Sequence, residues 1–289
     1  MSSRHSSTTS AQRARRVAGA GAAAALVVAG LGAYSPAGAA SAPLNYECTT
    51  PLGAQTFVAT FSAPATVPVG GSAALSTAVV VPEALAGQLY GLAGARTLSG
   101  TATGDGTASG VPVTVKQTIA STKVPASGAM NVVAKGGVAV PASVPVGAKL
   151  ELAAGDFSVK LDGKRADGSG SLLTPYAISC VQVAGQDAAI GTVTVVKTGS
   201  KTKVTAQGGK KKATIKVVVK PGTKVSATGK VKVTLSKGKK KVTKTATLKS
   251  GKANLVVKRL KKGKYKVAAV YLGDKNVKGS KGSVKVTVK

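Results

Sequence analysis

The chain has 289 residues and a formal net charge of +32, from 41 lysines and arginines against nine acids, with no tryptophan and one histidine, His5. Beyond residue 5 this composition excludes a Ser-His-Asp triad, a Cys-His pair and any histidine-held zinc or haem, and it argues against a tryptophan-based sugar platform. The charge is unevenly divided: residues 41–196 carry eight basic and eight acidic side chains, whereas residues 197–289 carry 29 basic side chains and a single acid, Asp274.

Residues 1–40 read as a secretory signal peptide. Arg4, Arg13, Arg15 and Arg16 precede an apolar run from Val17 to Ala33, and small residues lead up to Ser41, with cleavage expected after Ala39 or Ala40. A membrane anchor fits less well, because the run is rich in Ala and Gly and short for a span. The mature protein is therefore expected outside the cell or at the cell envelope, without a membrane span. Cys48 lacks a lipoprotein context and the C-terminal residues show no sorting motif, so no covalent attachment is expected. In an oxidising compartment Cys48 and Cys180 should form a structural disulfide, stabilising by up to roughly 4–5 kcal/mol on the chain-entropy account.

In residues 41–190 the runs FVATF, ALSTAVVV, VPVTVKQTIA, MNVVAKGGVAV, KLELAAG, FSVKL and YAISCVQV are rich in Val and Thr and bounded by turn residues. They predict the strands of a β-sandwich domain large enough for its own core. PEALAGQLYGL, opening on Pro82 and Glu83, predicts one short helix. Glu151, Asp156, Asp162 and Asp167 lie close in sequence, but DGKRADGSG reads as a hairpin turn in which Asp162 and Asp167 satisfy backbone donors rather than as a catalytic pair. GDGTASG lacks the following helix of a phosphate cradle. Residues 191–201 read as a linker; KTGSKTK within and just beyond it places KTG and SxxK side by side, not on the separate elements a penicillin-binding site needs.

The block 202–289 could be a disordered polycation or the charged skin of a folded sheet. Its sharpest instance is KGKKKVTKTATLK at 237–249, with six lysines in thirteen positions. Period-two alternation favours the sheet: Ile215, Val217 and Val219 share one face of a strand, as do Val231, Val233 and Leu235, with lysines between them. Seven strands are predicted, at about 202–206, 213–220, 230–236, 241–248, 252–258, 263–272 and 283–288, the count of an immunoglobulin-like sandwich. Successive antiparallel hairpins send alternate turns to opposite poles. The first, third and fifth turns then gather Lys210, Lys211, Lys212, Lys237, Lys239, Lys240, Lys241, Lys258, Arg259, Lys261, Lys262 and Lys264 at one pole. The opposite turns are leaner and hold Asp274. Because the linker enters there, the basic pole should be the exposed tip.

The run TLKSGKANLVVKRLKKGKYKVAAVYLGDKNVKGSKGSVKVTV resembles the second half of bacterial immunoglobulin-like repeats of secreted actinobacterial and other surface proteins. The resemblance rests on Leu248, Gly251 and Ala253, then Gly263, Tyr265, Ala269, Tyr271, Gly273 and Asp274, and Ser280 before the last strand. It implies the fold and a spacer or adhesive setting, with no shared active site. Residues 41–190 resemble, through YEC, a PVGG turn and SC followed by GQD, an exported actinobacterial domain of unknown function.

The sequence thus leads to an all-β chain of two sandwich domains, with no enzymatic activity and no cofactor. Its basic immunoglobulin-like module is expected to bind anionic cell-envelope polymers or other extracellular polyanions. Specific nucleic-acid recognition is not expected, since Tyr265 and Tyr271, the aromatic residues of the module, fall on its inward face. The alternative is that the module is a passive spacer and the neutral domain binds a protein partner.

Overall fold

The computed structural model describes residues 40–172 and 174–289, so the predicted leader lies outside the described residues except for Ala40. Residues 44–196 supply β1 (Leu44–Thr50), β2 (Gly53–Ser62), β3 (Thr66–Pro68), β4 (Ser72–Val81), α1 (Glu83–Gly91), β5 (Thr97–Ala108), β6 (Val111–Lys123), β7 (Met130–Ala139), β8 (Lys149–Lys164), β9 (Tyr176–Gln182) and β10 (Ala189–Val196). Alternation drives these strands: β4 buries Ala73, Leu75, Thr77 and Val81, and β7 buries Met130, Val132, Ala134 and Val138. Pro82 halts β4 and stands at the N-cap of α1, which carries Glu83 in its first turn and buries Leu85, Ala86 and Leu89.

The ten strands form one sheet in the order β3-β10-β8-β5-β6-β7-β4-β2-β1-β9. The sheet curls back on itself, because β9 hydrogen-bonds both β1 and the second half of β8 (Phe157–Leu161), leaving the first half of β8 to β10. The two faces of this sandwich therefore belong to one continuous ring of eight strands, with β10 and β3 as an extension. Cys48 lies directly opposite Cys180 across the β1–β9 seam, and the two are disulfide-bonded and buried.

Three features differ from the sequence expectation. KLELAAG and FSVKL are one sixteen-residue strand, β8, because Gly155, which ends the first run, and Asp156, between the two, are accommodated at a β-bulge opposite Gly104–Gly106. TLSGTATGDGTA, too rich in Gly and Thr to stand out as an apolar run, is β5 and pairs along nearly its whole length with β6 and β8. Most of residues 191–201 are extended: β10 runs to Val196 and the next strand begins at Ser200.

Residues 200–288 form the seven strands β11 (Ser200–Gly209), β12 (Lys212–Pro221), β13 (Lys230–Lys237), β14 (Lys240–Thr247), β15 (Lys252–Lys258), β16 (Gly263–Tyr271) and β17 (Ser280–Val288). They make a three-stranded sheet, β11-β12-β15, and a four-stranded sheet, β14-β13-β16-β17, an immunoglobulin-like sandwich as the sequence predicts. Its core is closed: Ile215, Val217, Val231, Val233, Leu235 and Val267 are fully buried. β11 and β17 run alongside each other, with the Ser280 hydroxyl within 2.8 Å of Ser200 Oγ and 2.6 Å of Thr202 Oγ1. The free edges are β14 and β15. On β14, Lys244 stands opposite the buried Val233, on the inward side of an edge strand, a charge that discourages pairing with another chain.

Candidate basic interface

The basic pole is assembled by backbone bonds between turns. Lys211 N donates to Lys289 O at 3.0 Å, Leu260 N donates to Lys211 O at 3.0 Å, and Lys289 N donates to Gly209 O at 3.2 Å. The β11–β12 turn, the β15–β16 turn and the end of β17 are thereby one unit. Lys237 Nζ donates to the Lys262 carbonyl, which ties the β13–β14 turn to the same pole, and Tyr265 hydroxyl donates to Lys261 O at 2.9 Å. All twelve basic residues expected at this end are exposed. Lys237 is engaged by the Lys262 carbonyl and lies 5.9 Å from the Tyr265 ring centroid, so its ammonium is the least available of them. Lys289 belongs to the same pole and was missed in the sequence. The pairing of Val288 with Gly263 places it there, a register that a strand map carried to the last residue would have given.

The backbone at two of the tips is unusual. Lys211 has φ +51° and Arg259 φ +60°, the left-handed region that a side chain with a Cβ enters at a cost of about 1–2 kcal/mol. Turns of this kind usually place glycine or asparagine there. Here the position is given to a cation.

At the opposite pole Asp274 organises the loops. Its Oδ2 accepts from Thr228 N and Oγ1, each at 2.7 Å, and its Oδ1 accepts from Asn276 N at 2.8 Å and Val277 N at 2.7 Å. Partial burial would raise its pKa, but these bonds outweigh it and hold the carboxyl down at about 2. The neutral block meets the module at this end. Thr223 Oγ1 donates to Val69 O at 2.7 Å, and Val225 packs against the cluster containing Val69, Val140 and Val195. Among the described residues, the neutral block therefore leaves the basic pole uncovered. Charge is not confined to it, however. Lys201, Lys203, Lys216 and Lys252 stud the outer face of one sheet, and Lys232, Lys266, Lys281 and Lys285 that of the other; every lysine of residues 197–289 is exposed. The pole is the densest part of a cationic surface that covers the whole module.

Tyr265 and Tyr271 are buried in the core, so neither ring is offered for stacking. The four acids of the neutral block do not converge. Glu151, Asp156 and Asp162 lie on the exposed side of β8, with Asp156 accepting from Gln182 N at 2.9 Å. Asp167 does cap its turn, accepting from Ser169 Oγ at 2.7 Å and Ser169 N at 2.9 Å, and these bonds lower its pKa. Asp162 does not share that role: it stands within β8 opposite Ser99, upstream of the turn.

Residues 45–191 match the family of unknown function (DUF6801), and residues 198–289 match the bacterial Ig-like domain (group 3). No curated protein matches the chain. Among solved structures, "Putative membrane anchored protein from Corynebacterium diphtheriae" aligns at 12% identity and a TM-score of 0.28, covering 88% of this chain; the chain spans 59% of that protein's length. The fibronectin(III)-like modules of Clostridium thermocellum CbhA align at 12% identity and a TM-score of 0.25, covering 80% of this chain and 94% of that one.

Proposed function

The chain thus belongs to the family of unknown function (DUF6801) and carries a bacterial Ig-like domain, and from that premise we propose that it is a secreted, non-enzymatic binding protein of the cell envelope. The Ig-like module attaches by charge to anionic polymers, leading with its basic pole, and the neutral block carries whatever specific recognition the protein has. The observation that supports this most is the joining of three basic turns at the end remote from the neutral block, with Lys211 and Arg259 held in left-handed backbone. A net charge near +28 in 93 residues opposes folding by self-repulsion, so solubility or edge protection accounts for only part of it. Lysine predominates over arginine, which suits hydrated point-charge contact with a polyanion better than bidentate recognition of one defined group.

The test compares the full chain with a variant in which Lys210, Lys211, Lys212, Lys239, Lys240, Lys241, Lys261 and Lys262 are changed to Gln. Retention on duplex DNA, polyphosphate and purified envelope is measured across a salt series. The reading expects salt-sensitive retention that the variant largely loses, with the ranking of polymers giving the class preferred. Equal elution of both proteins at low salt would make the module a spacer and move all binding to the neutral block.

A further inference from the structure

The ring formed by the first block is hollow. Phe61, Val79, Val115, Phe157, Val159 and Ile178 point inward yet remain partly accessible, because they surround a cavity of about 120 Å³. A second cavity of about 50 Å³ lies beneath α1 and shares the walls Phe57, Val81, Val132, Leu161 and Ile178 with the first. An eight-stranded ring is of the size that side chains just fill or that encloses one small ligand. Here glycines and alanines, among them Gly104, Ala102 and Ala134, occupy wall positions and leave it unfilled. The Ig-like sandwich of the same chain, by contrast, buries Ile215, Val217, Val231, Val233 and Val267 completely.

Shape and chemistry select the occupant. The lining extends from Val113 to Ile119 along β6 and from Leu75 to Val81 along β4, six residue steps or about 20 Å. So small a volume drawn out over that length is a tube, suited to an extended chain rather than a ring system. Its walls are aliphatic and aromatic, and polar groups are sparse. Midway, Thr77 Oγ1 donates to Gln117 Oε1 at 3.0 Å, and Gln117 Nε2 has no acceptor among the described residues. One end is shut: α1 is fastened by Gly128 N donating to Glu83 Oε1 at 2.9 Å, and by Arg96, which donates to Tyr90 O at 2.8 Å and stacks 3.6 Å over its ring. The other end has a way in. β6 pairs with β7 only at Gln117, Thr118 and Ile119, so the ladder lapses on both sides of them; α1 covers the end next to 120–123, and the lapse at 111–116, beside Val113, Val115 and Val138 of the lining, is the candidate slot.

We propose that the first block is a lipid-binding barrel whose interior takes one aliphatic chain, the tail of a fatty acid or of an envelope lipid, inserted through the slot beside β6. The closed end under α1 receives the tip of the chain, and any polar head stays at the slot. The Gln117 amide offers its two N–H donors along the path.

The experiment uses the delipidated full chain and cis-parinaric acid, a fatty acid that fluoresces in apolar surroundings. Saturable fluorescence, competed by palmitate, is expected; competition by phosphatidylglycerol vesicles as well would assign a lipid tail, and by palmitate alone a free fatty acid. The decisive variant is Gly104→Leu. Its Cβ would meet Phe157 Cβ at 3.5 Å, an ordinary contact, so the side chain enters the cavity without backbone strain. This variant should melt at a higher temperature than wild type while binding parinarate at least tenfold more weakly; if it fails to fold, Val115→Phe blocks the same tube from β6. The eight-lysine Gln variant should bind parinarate as wild type does, which separates tube occupancy from attraction of a carboxylate to the basic pole. Absence of saturable fluorescence in wild type, or undiminished binding by a folded tube-filling variant, would overturn the proposal.

Discussion

Changing Lys211 and Arg259 together to Gly separates a functional reason for the basic tips from a structural one. Both residues adopt positive φ, +51° and +60°, which costs an L-residue about 1–2 kcal/mol, whereas glycine adds about 0.5–1 kcal/mol of unfolded-state entropy at each site. The net gain is about 0.5–1 kcal/mol per site, or about 1–2 kcal/mol for the pair if the sites act independently. Neither backbone bond at Lys211 is lost, because its N–H and C=O remain to serve Lys289 and Leu260. Less self-repulsion adds to the gain. Urea unfolding should therefore show a higher midpoint for the double variant, with an unchanged slope. On duplex DNA the logarithm of the binding constant should fall less steeply with salt, by about 0.9 for each phosphate contact removed and so by up to about 1.8. If the variant is less stable, the basic side chains support the fold. If it is more stable but binds with the same salt slope, the tips make no contact and the interface lies on the sheet faces.

Asp274→Asn should destabilise the module by about 1–2 kcal/mol, since a neutral amide oxygen is a weaker acceptor for the donors of Thr228, Asn276 and Val277. In wild type the sign follows from the depressed pKa: the contribution is present above about pH 4, the unfolded value, and is lost as pH falls toward about 2, amounting to about 1–2 kcal/mol after allowance for partial exposure. Thermal melts from pH 5 to pH 2 check both, and an acid-insensitive module would contradict the role given to Asp274. Gly251 has φ +73° and a Cβ there would meet Val219 O at 2.7 Å, so Gly251→Ala should cost about 1–3 kcal/mol in urea unfolding. Lys244→Val should leave the fold intact but unblock the edge of β14, and light scattering should then report self-association that wild type lacks.

The sequence was most readable where inward and outward positions differ most. In the basic block lysine alternates with valine, and every one of the seven strands lies where that alternation puts it. Hairpin parity then brought Lys210, Lys239 and Lys261 to one end without any knowledge of distances. The signal failed where a strand lacks contrast. Thr97–Ala108 is mostly Gly, Thr and Ala, yet it is central because β6 and β8 bond both its edges and small residues permit close approach: a Cβ at Gly106 would stand 2.5 Å from Ala153 O. Ring closure was equally unreadable, since it depends on β9 reaching both β1 and β8. The tube follows from that closure, so no local run of residues announces it. Turn parity alone does not place Lys289, which follows the last turn; the register of Val288 with Gly263 does.

The two blocks reach stability by different routes, and the disulfide shows which needs help. A hollow ring forgoes the dispersion contacts that a filled interior would give its lining, and its first and last ring strands, β1 and β9, come from opposite ends of the block. Cys48–Cys180 joins them at that seam across 132 residues of chain, removing unfolded-state freedom from a block whose interior is incompletely filled. The Ig-like module carries no disulfide and a far larger charge, but its interior is closed. Cys48→Ser with Cys180→Ser should accordingly lower the stability of the first block by about 2–5 kcal/mol, while the module is affected only through the small contact at Val69, Thr223 and Val225. A calorimetric scan of the double variant should show one transition moving down in temperature and a second nearly fixed. Equal movement of both would mean that the contact at Val69 couples the two cores, so that the barrel and the basic pole unfold as one unit.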